Sequence, residues 1–357
     1  MPNGPRSVSP VATGAERIFD DLREVAARVR AELEAEIAES ALELPADAAP
    51  AAEISRFARD ERARVLEAGV SGLEKLAAHR EDELDGDETF GVEAIVLLEG
   101  RPAILVQRQD FAPQHDEWAV LEPQRPAIRE SLLRVGRVEV TGHPSLDWIG
   151  TAFLVGPRTV MTNRHVAAEF SRFEDERWAL EFGMSARVDP AEELPAEGGP
   201  PGPSVPYEIT DVIGIHPDVD MALLRVEPAS GDGLPTPLAV AADAPASLPG
   251  RPVYVIGYPA WDGRRNEPES MRRIFMDVYN VKRLQPGTAT EFTPGGLVMK
   301  HDCSTLGGNS GSPVFDLADH RVLGLHFGGR YRTGNFAVPL WELVEDPLLE
   351  KAEVNWV

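Results

Sequence analysis

The sequence predicts a mainly β protein that is preceded by a helical N-terminal region. From about residue 134 onward, short apolar runs alternate with clusters of Gly, Pro, Asn and Asp, which is typical of strands joined by turns. Before about residue 83, apolar residues recur at three- or four-residue steps with charges between them, which is typical of amphipathic helices. We therefore expect the helices to come first and the main β domain to follow.

The composition fits a globular protein and argues against several classes of partner. The chain has 357 residues, of which 43% are hydrophobic, and its net charge is -24. So acidic a surface repels nucleic-acid phosphates and anionic membranes, and we expect neither as a partner. No apolar run reaches the roughly 18 residues that span a bilayer. Cys303 is the only cysteine, so no intrachain disulfide can form. Together with the lack of an apolar leader after Met1, this favours a cytoplasmic location.

The N-terminal region divides by composition into a tail and two helical runs. Residues 1–14 are rich in Pro, Gly and Ser and are expected to be disordered. Residues 15–82 contain two helical runs, which a Pro- and Ala-rich break at 44–50 separates. They predict a helical hairpin or a short coiled coil. Two interpretations stay open, a packed helical cap and a module that binds a protein partner.

Residues 83–130 predict a small β-hairpin and linker region. Two apolar runs, 92–98 and 103–106, flank a turn-like stretch that contains Gly100 and Pro102. The mixed residues that follow are expected to be anchored by Trp118, Val120 and Leu121. The first strand of the main domain is expected at 134–140, so we place the domain boundary near 130 and the main domain at 131–357.

Three distant segments each set a reactive side chain beside a strand. His165 follows the strand-like run at 160–162, Asp220 immediately precedes the apolar run at 221–226, and Ser310 lies in GGNSGSPV at 307–314. Taken singly, they are explained by a capping histidine, a turn carboxylate and a tight glycine turn. Glycines beside a serine also let the backbone approach a substrate and aim adjacent N–H groups at one point.

In this order, the three segments resemble those of the chymotrypsin-like serine peptidases. The resemblance covers about residues 135–350 and implies a double β-barrel. It implies that Ser310 is the nucleophile, His165 the general base, and Asp220 the carboxylate that orients the imidazole. The backbone N–H groups of Gly308 and Ser310 would form the oxyanion hole. No cofactor is implied, and no His, Cys or Glu cluster has the spacing of metal ligands.

Within this superfamily, GGNSGSPV together with GLHFGG at 324–329 resembles the bacterial glutamyl endopeptidase branch. The resemblance places Ser304, Thr305, His326 and Gly328 at the substrate pocket. Ser304 takes the place of the aspartate that holds basic side chains in the Arg/Lys-cleaving branch. Thr305 and His326 take the places of residues that hold an acidic side chain, so we expect cleavage after Glu or Asp. The alternative is that His326 is an ordinary buried strand histidine.

Two further observations bear on function. A set of other polar residues carries no motif or is expected to face away from the site: Asp218, Ser312, His143, His216, His301 and His320. In the glutamyl branch the mature amino terminus also lies near the pocket, whereas here more than a hundred residues precede the main domain.

We therefore expect a serine endopeptidase that acts on proteins or peptides, with a regulated intracellular or defence-associated role. One alternative is a peptidase-fold scaffold that binds without cutting, and another is an extracellular enzyme with a long propeptide.

Overall fold

The computed structural model describes residues 71, 75, 101–174, 176–195, 206–230, 233–261, 274–292, 296–330 and 334–357. The chain forms two compact units, Met1–Leu98 and Glu99–Val357. In the first unit, Ser71 and Lys75 are helical. The predicted tail at 1–14, the helical hairpin at 15–82 and the strand at 92–98 otherwise lie outside the described residues.

The second unit begins with elements that precede both barrels. They are strand β1 (Ile104–Gln107), strand β2 (Asp110–Phe111), a 3-10 helix (Asp116–Leu121) and helix α1 (Arg125–Leu132). The predicted run at 103–106 thus forms a strand, which pairs with β2 on one side. Leu121 is fully buried, as expected of an anchor, whereas Val120 is 47% exposed.

The first barrel is closed by six antiparallel strands, and the prediction of a strand at 134–140 is confirmed within one residue. Around the barrel the order is β10-β5-β4-β3-β8-β9. A separate hairpin, β6–β7, follows the short helix α2. The elements are β3 (Val135–Thr141), β4 (Trp148–Gly156), β5 (Thr159–Thr162), α2 (Arg164–Ala168), β6 (Ser171–Glu174), β7 (Arg177–Leu180), β8 (Ser185–Asp189), β9 (Tyr207–Ile215) and β10 (Ala222–Pro228).

The second barrel also contains six strands, in the order β11-β14-β15-β16-β13-β12, and it closes where β11 pairs with β12. Strand β1 adds to its outer edge at β12. The strands are β11 (Pro252–Gly257), β12 (Arg283–Phe292), β13 (Met299–His301), β14 (Pro313–Asp316), β15 (Val322–Arg330) and β16 (Gly334–Pro339). A 3-10 turn (Leu340–Leu343) and helix α3 (Pro347–Lys351) follow. The mainly β, chymotrypsin-like double barrel is therefore confirmed.

Each barrel closes around apolar side chains that alternate along its strands. In the first barrel, Val138, Leu154 and Leu224 are fully buried, and in the second Val255 and Val314 are too. Burial of one such side chain stabilises the fold by about 1.5–3 kcal/mol. Within the described residues, no helix has the length and apolar character needed to cross a membrane.

A buried lysine joins the preceding elements to both barrels. Lys282 is fully buried, and its ammonium group donates to Gln109 Oε1 at 3.0 Å and to the Leu132 carbonyl at 2.7 Å. It also donates to the carbonyl of Pro190, which follows β8. Burial lowers the pKa of Lys282 to about 7. Residues 99–132 thus pack in the same compact unit as the barrels, while the boundary near 130 stays a prediction.

Candidate active site

His165 is presented by helix α2, directly after strand β5. Asn163 occupies the N-cap position in an extended conformation, and it is fully buried. Its side-chain amide donates to the main-chain carbonyl of Asp220 at 2.8 Å. The turn that carries His165 is therefore fastened to the segment that carries the carboxylate.

Strand pairing brings Asp220 to the histidine. In the antiparallel register of β5 and β10, Thr162 faces Ala222, and two further steps set position 220 opposite position 164. The imidazole Nδ1 of His165 lies 2.7 Å from Asp220 Oδ2, and the backbone N–H of His165 donates to Oδ1 at 3.1 Å. Both carboxylate oxygens are thus engaged by one residue.

The electrostatics of this pair favour a charged carboxylate. Burial acts to raise the pKa of the Asp220 carboxyl, but the hydrogen bonds from His165 and its charge outweigh that effect. The pKa of Asp220 therefore lies below its ordinary value, and Asp220 is ionised at neutral pH.

The loop before Asp220 is held by His216, which the sequence presents only as a loop residue. Its Nδ1 accepts from the backbone N–H groups of Asp218 at 3.0 Å and Val219 at 3.1 Å. Its Nε2 lies 3.1 Å from Asp346 Oδ2. His216 is therefore buried structural support, and Asp218 is exposed.

Ser310 lies in a turn whose shape requires glycine at two positions. Gly308 has a φ of 84° and Gly311 a φ of 89°, a region that other residues seldom adopt. A Cβ on Gly311 would lie 2.0 Å from the Thr151 carbonyl oxygen, and one on Gly308 would lie 2.4 Å from the Tyr258 carbonyl oxygen. The glycines therefore let the turn press against both barrels.

Thr151, on strand β4, holds the turn against the first barrel. Its backbone N–H donates to the Ser310 carbonyl at 2.8 Å, and its hydroxyl donates to the Gly308 carbonyl at 2.8 Å. The same hydroxyl oxygen accepts the Tyr258 N–H at 3.3 Å. Thr151 is fully buried, so these bonds fix the position of the turn relative to strand β4.

Strand β4 also brings the serine turn next to the histidine helix. A Cβ on Gly150 would lie 2.8 Å from the Ser310 carbonyl oxygen and 2.9 Å from Cγ2 of Val166. The turn and the residue after His165 therefore touch the same point of the strand. Among the described residues, the N–H groups of Gly308 and Ser310 donate to no acceptor, as oxyanion donors must in the free protein.

The predicted pocket residues lie along two segments beside the turn. The Ser304 hydroxyl donates to the carbonyl of Arg101, and Thr305 is half-buried. His326 is 2% exposed, and its backbone bonds to the serine turn through Gly311 at 3.0 Å. No described atom lies within 4 Å of the place a Cβ on Gly328 would take, which leaves open space beside that part of β15.

His326 is paired with a second buried histidine that carried no sequence signal. Its Nδ1 lies 3.1 Å from Nε2 of His301, which is fully buried. Burial lowers the pKa of His301 to about 3. The pKa of His326 lies well below its ordinary value because of burial first, and because of His301 and His165 next. Both rings are therefore neutral at neutral pH.

One cluster of carboxylates has the compactness of a metal site. Oxygens of Glu139, Asp189 and Glu192 lie within 4.8 Å of one another. Arg137, however, forms ion pairs with Glu139 at 2.5 Å and with Glu192 at 3.2 Å. An arginine side chain already supplies positive charge to this cluster.

Sequence reasoning indicated the three proposed reactive side chains but missed the residues that support them. Thr151 and His301 act through contacts with residues far along the chain, and nothing in their neighbouring residues marks them.

Comparison with known proteins agrees with the fold. Residues 150–325 match the trypsin-like peptidase domain. The chain is 26% identical to the glutamyl endopeptidase of Staphylococcus epidermidis over 200 residues, which are 55% of this chain and 60% of that protein. It is 28% identical to the serine protease Rv3671c of Mycobacterium tuberculosis over 243 residues, 66% of this chain and 50% of that one. The chain thus spans about half to three fifths of the relatives it matches.

Two solved structures are similar to this chain. The active form of Rv3671c from M. tuberculosis has a TM-score of 0.43 and 22% identity, and the match covers 71% of this chain and 91% of that one. A Glu endopeptidase in complex with MPD has a TM-score of 0.45 and 15% identity, and the match covers 71% of this chain and 96% of that one. The match at residues 150–325, which spans strands of both closed barrels, shows that this chain contains a trypsin-like peptidase domain.

Proposed function

We propose that this protein is a serine endopeptidase in which Ser310, His165 and Asp220 form the catalytic triad. The observation that carries the proposal is the 2.7 Å contact between His165 Nδ1 and Asp220 Oδ2. That contact fixes Nδ1 as the protonated nitrogen, so Nε2 is left as a base that faces away from the carboxylate.

The reaction follows from these positions. Ser310 Oγ attacks the carbonyl carbon of the substrate while its proton passes to Nε2 of His165. The carbonyl oxygen becomes an oxyanion that accepts hydrogen bonds from the N–H groups of Gly308 and Ser310. The imidazolium gives the proton to the leaving amine, the acyl-enzyme forms, and water then repeats the sequence to release the acid.

We further propose a preference for an acidic side chain at the residue before the cut. A neutral His326 can donate from Nε2 to a substrate carboxylate only if its Nδ1 accepts from His301. The 3.1 Å contact between the two rings allows this arrangement. His301 Nδ1 is buried and has no hydrogen-bond partner among the described residues. Such a nitrogen costs less without a partner when it carries no proton. Thr305 supplies a second donor.

A peptide library tests both parts of this proposal. The full chain should cut mainly after Glu or Asp, and Ser310→Ala should abolish every cut. Cleavage mainly after Arg, Leu or Phe would reject the acidic preference but leave the triad standing. If the folded wild-type chain leaves every peptide of the library uncut, the result would favour a scaffold that binds without cutting. His326→Gln, which keeps a neutral donor, should retain more of the Glu preference than His326→Leu.

The remaining expectations stay proposals. A cytoplasmic location and a partner of the N-terminal helices would both be tested by isolating the native protein from cells, with sequencing of its amino terminus. A native chain that begins near residue 135 would support the alternative with a long propeptide.

A further inference from the structure

The residues just before the barrels run along the outer edge of the second barrel. In this lead-in segment, residues 101–107, Ile104 faces Leu284 and Leu105 faces Arg283 of strand β12. The Arg283 guanidinium donates to the Ala103 carbonyl at 2.7 Å. The segment is therefore bonded to β12 through both backbone and side chain.

The stretch that precedes the serine turn, residues 302–306, lies against the same strand, and we refer to it as the pocket wall. The Asp302 N–H donates to the Thr288 carbonyl at 3.1 Å, and the Gln285 amide donates to the Ser304 carbonyl at 2.7 Å. Residues 302–306 form no helix or strand. The shape of the pocket wall therefore depends on the residues that pack against it.

The lead-in segment supplies three such contacts. Arg101 Nη2 lies 2.5 Å from Asp302 Oδ2, and the Arg101 carbonyl accepts the hydroxyl proton of Ser304. Ala103 is 5% exposed and belongs to the same small apolar cluster as Leu306. The residues contacted are Asp302, Ser304 and Leu306, which are every second residue of the pocket wall.

We propose that Arg101 is a positioning residue for the substrate pocket, although it lies outside both barrels. The proposal rests on the function proposed above. The main-chain carbonyl of Arg101 accepts the only proton that the Ser304 hydroxyl carries, and the ion pair of the Arg101 side chain with Asp302 holds that carbonyl in place. The Ser304 hydroxyl is then able only to accept hydrogen bonds from a substrate. A substrate carboxylate must then be met by Thr305 and His326, so Arg101 helps set which side chain the pocket takes.

Arg125 offers a matched control within the elements that precede the barrels. Its side chain is 20% exposed, compared with 24% for Arg101, and it too is ion-paired, with Asp110 at 2.6 Å and Glu122 at 2.9 Å. None of its described partners belongs to the pocket wall. Arg125→Ala therefore removes two ion pairs of a similarly exposed arginine while the wall keeps its contacts.

Hydrogen exchange of the full chain tests the positioning role without relying on activity. A peptide that covers residues 302–309 should exchange about five-fold faster in Arg101→Ala than in the wild type, the effect of losing one partly exposed ion pair. The same peptide should be unchanged in Arg125→Ala. Equal exchange in Arg101→Ala and the wild type, or equal acceleration in both variants, would overturn the proposal.

Activity supplies a second and distinguishable readout. The ratio of kcat/KM for a Glu-containing peptide to kcat/KM for p-nitrophenyl acetate should fall about five-fold in Arg101→Ala, because the ester presents no side chain to the pocket. Arg101→Lys, which keeps the charge, should recover part of the ratio. An unchanged ratio would contradict a role in the pocket. A wild-type chain that hydrolyses neither substrate would defeat the proposed function, while the exchange comparison would still decide the role of Arg101.

Discussion

Replacing Thr151 with valine removes one hydroxyl and leaves two backbone groups without partners. The Gly308 carbonyl loses its donor at 2.8 Å and the Tyr258 N–H loses its acceptor at 3.3 Å. A buried polar group left without a partner costs about 1–3 kcal/mol. Two groups lose a partner, but Gly308 is only half-buried, so water can still reach its carbonyl. We therefore expect the free energy of unfolding to fall by about 2 kcal/mol.

Thr151→Val should also lower kcat. The Gly308 carbonyl and N–H belong to the turn that carries the proposed oxyanion donors. Removing such a donor outright costs about 10²–10³ in kcat, and a donor that is displaced but not removed should cost about ten-fold. Chemical denaturation and kcat for a Glu-containing peptide measure the two effects in the same preparation.

Thr151→Ser is the matched control because it keeps the hydroxyl. It loses one methyl group, which costs about 1 kcal/mol of stability, and kcat should stay near the wild-type value. The reasoning fails if the serine variant loses as much kcat as the valine variant, or if the valine variant turns over at the wild-type rate.

Three other predictions follow from the same geometry. Asp220→Asn should lower kcat/KM about 10⁴-fold, as loss of the triad carboxylate does in the well-studied serine proteases. Because the folded state lowers the pKa of Asp220, its stabilising effect is present above the ordinary value of 3.8 and is lost as pH falls through the lower folded-state value. The gap in unfolding free energy between wild type and Asp220→Asn should therefore narrow as the pH is lowered below 3.8, and a constant gap would contradict this. Gly311→Ala should cost about 1–3 kcal/mol from backbone strain alone, and more from the 2.0 Å approach to the Thr151 carbonyl. Thermal melting checks this result, and an unshifted melting temperature would refute it. A chain that starts at residue 99 should keep the contacts of the pocket wall, whereas one that starts at residue 131 should be less stable and slower on peptides. Faster turnover by the shorter chain would instead support inhibition by the N-terminal half.

The candidate residues that the sequence indicates are those whose proposed function and local structure share one stretch of sequence. His165, Asp220 and Ser310 each adjoin a strand that its own apolar residues mark, so the stretch that marks the strand also carries the reactive group. The glycines at 308 and 311 are readable for the same reason, because the turn needs a positive φ at its own residues.

The features that were missed depend on contacts across the fold. Arg101 and Asp302 lie 201 residues apart in the sequence, and neither neighbourhood indicates the other. The tight turn between β1 and β2 is a different case. Arg108 and Gln109 both have a φ near 55°, a conformation usually taken by Asn or Gly. Here Gln109 is held by tertiary hydrogen bonds, one of which its side-chain amide donates to the Pro190 carbonyl at 2.7 Å. Contacts with the rest of the fold therefore override the local conformational preference.

The most direct test of the triad is to find which atom a fluorophosphonate probe modifies. Treatment of the full chain, followed by mass spectrometry, should give one adduct, located on Ser310. The rate of labelling should fall by several orders of magnitude in His165→Ala, since the serine then lacks its base. An adduct on another residue, or equal labelling of the wild type and His165→Ala, would contradict the account.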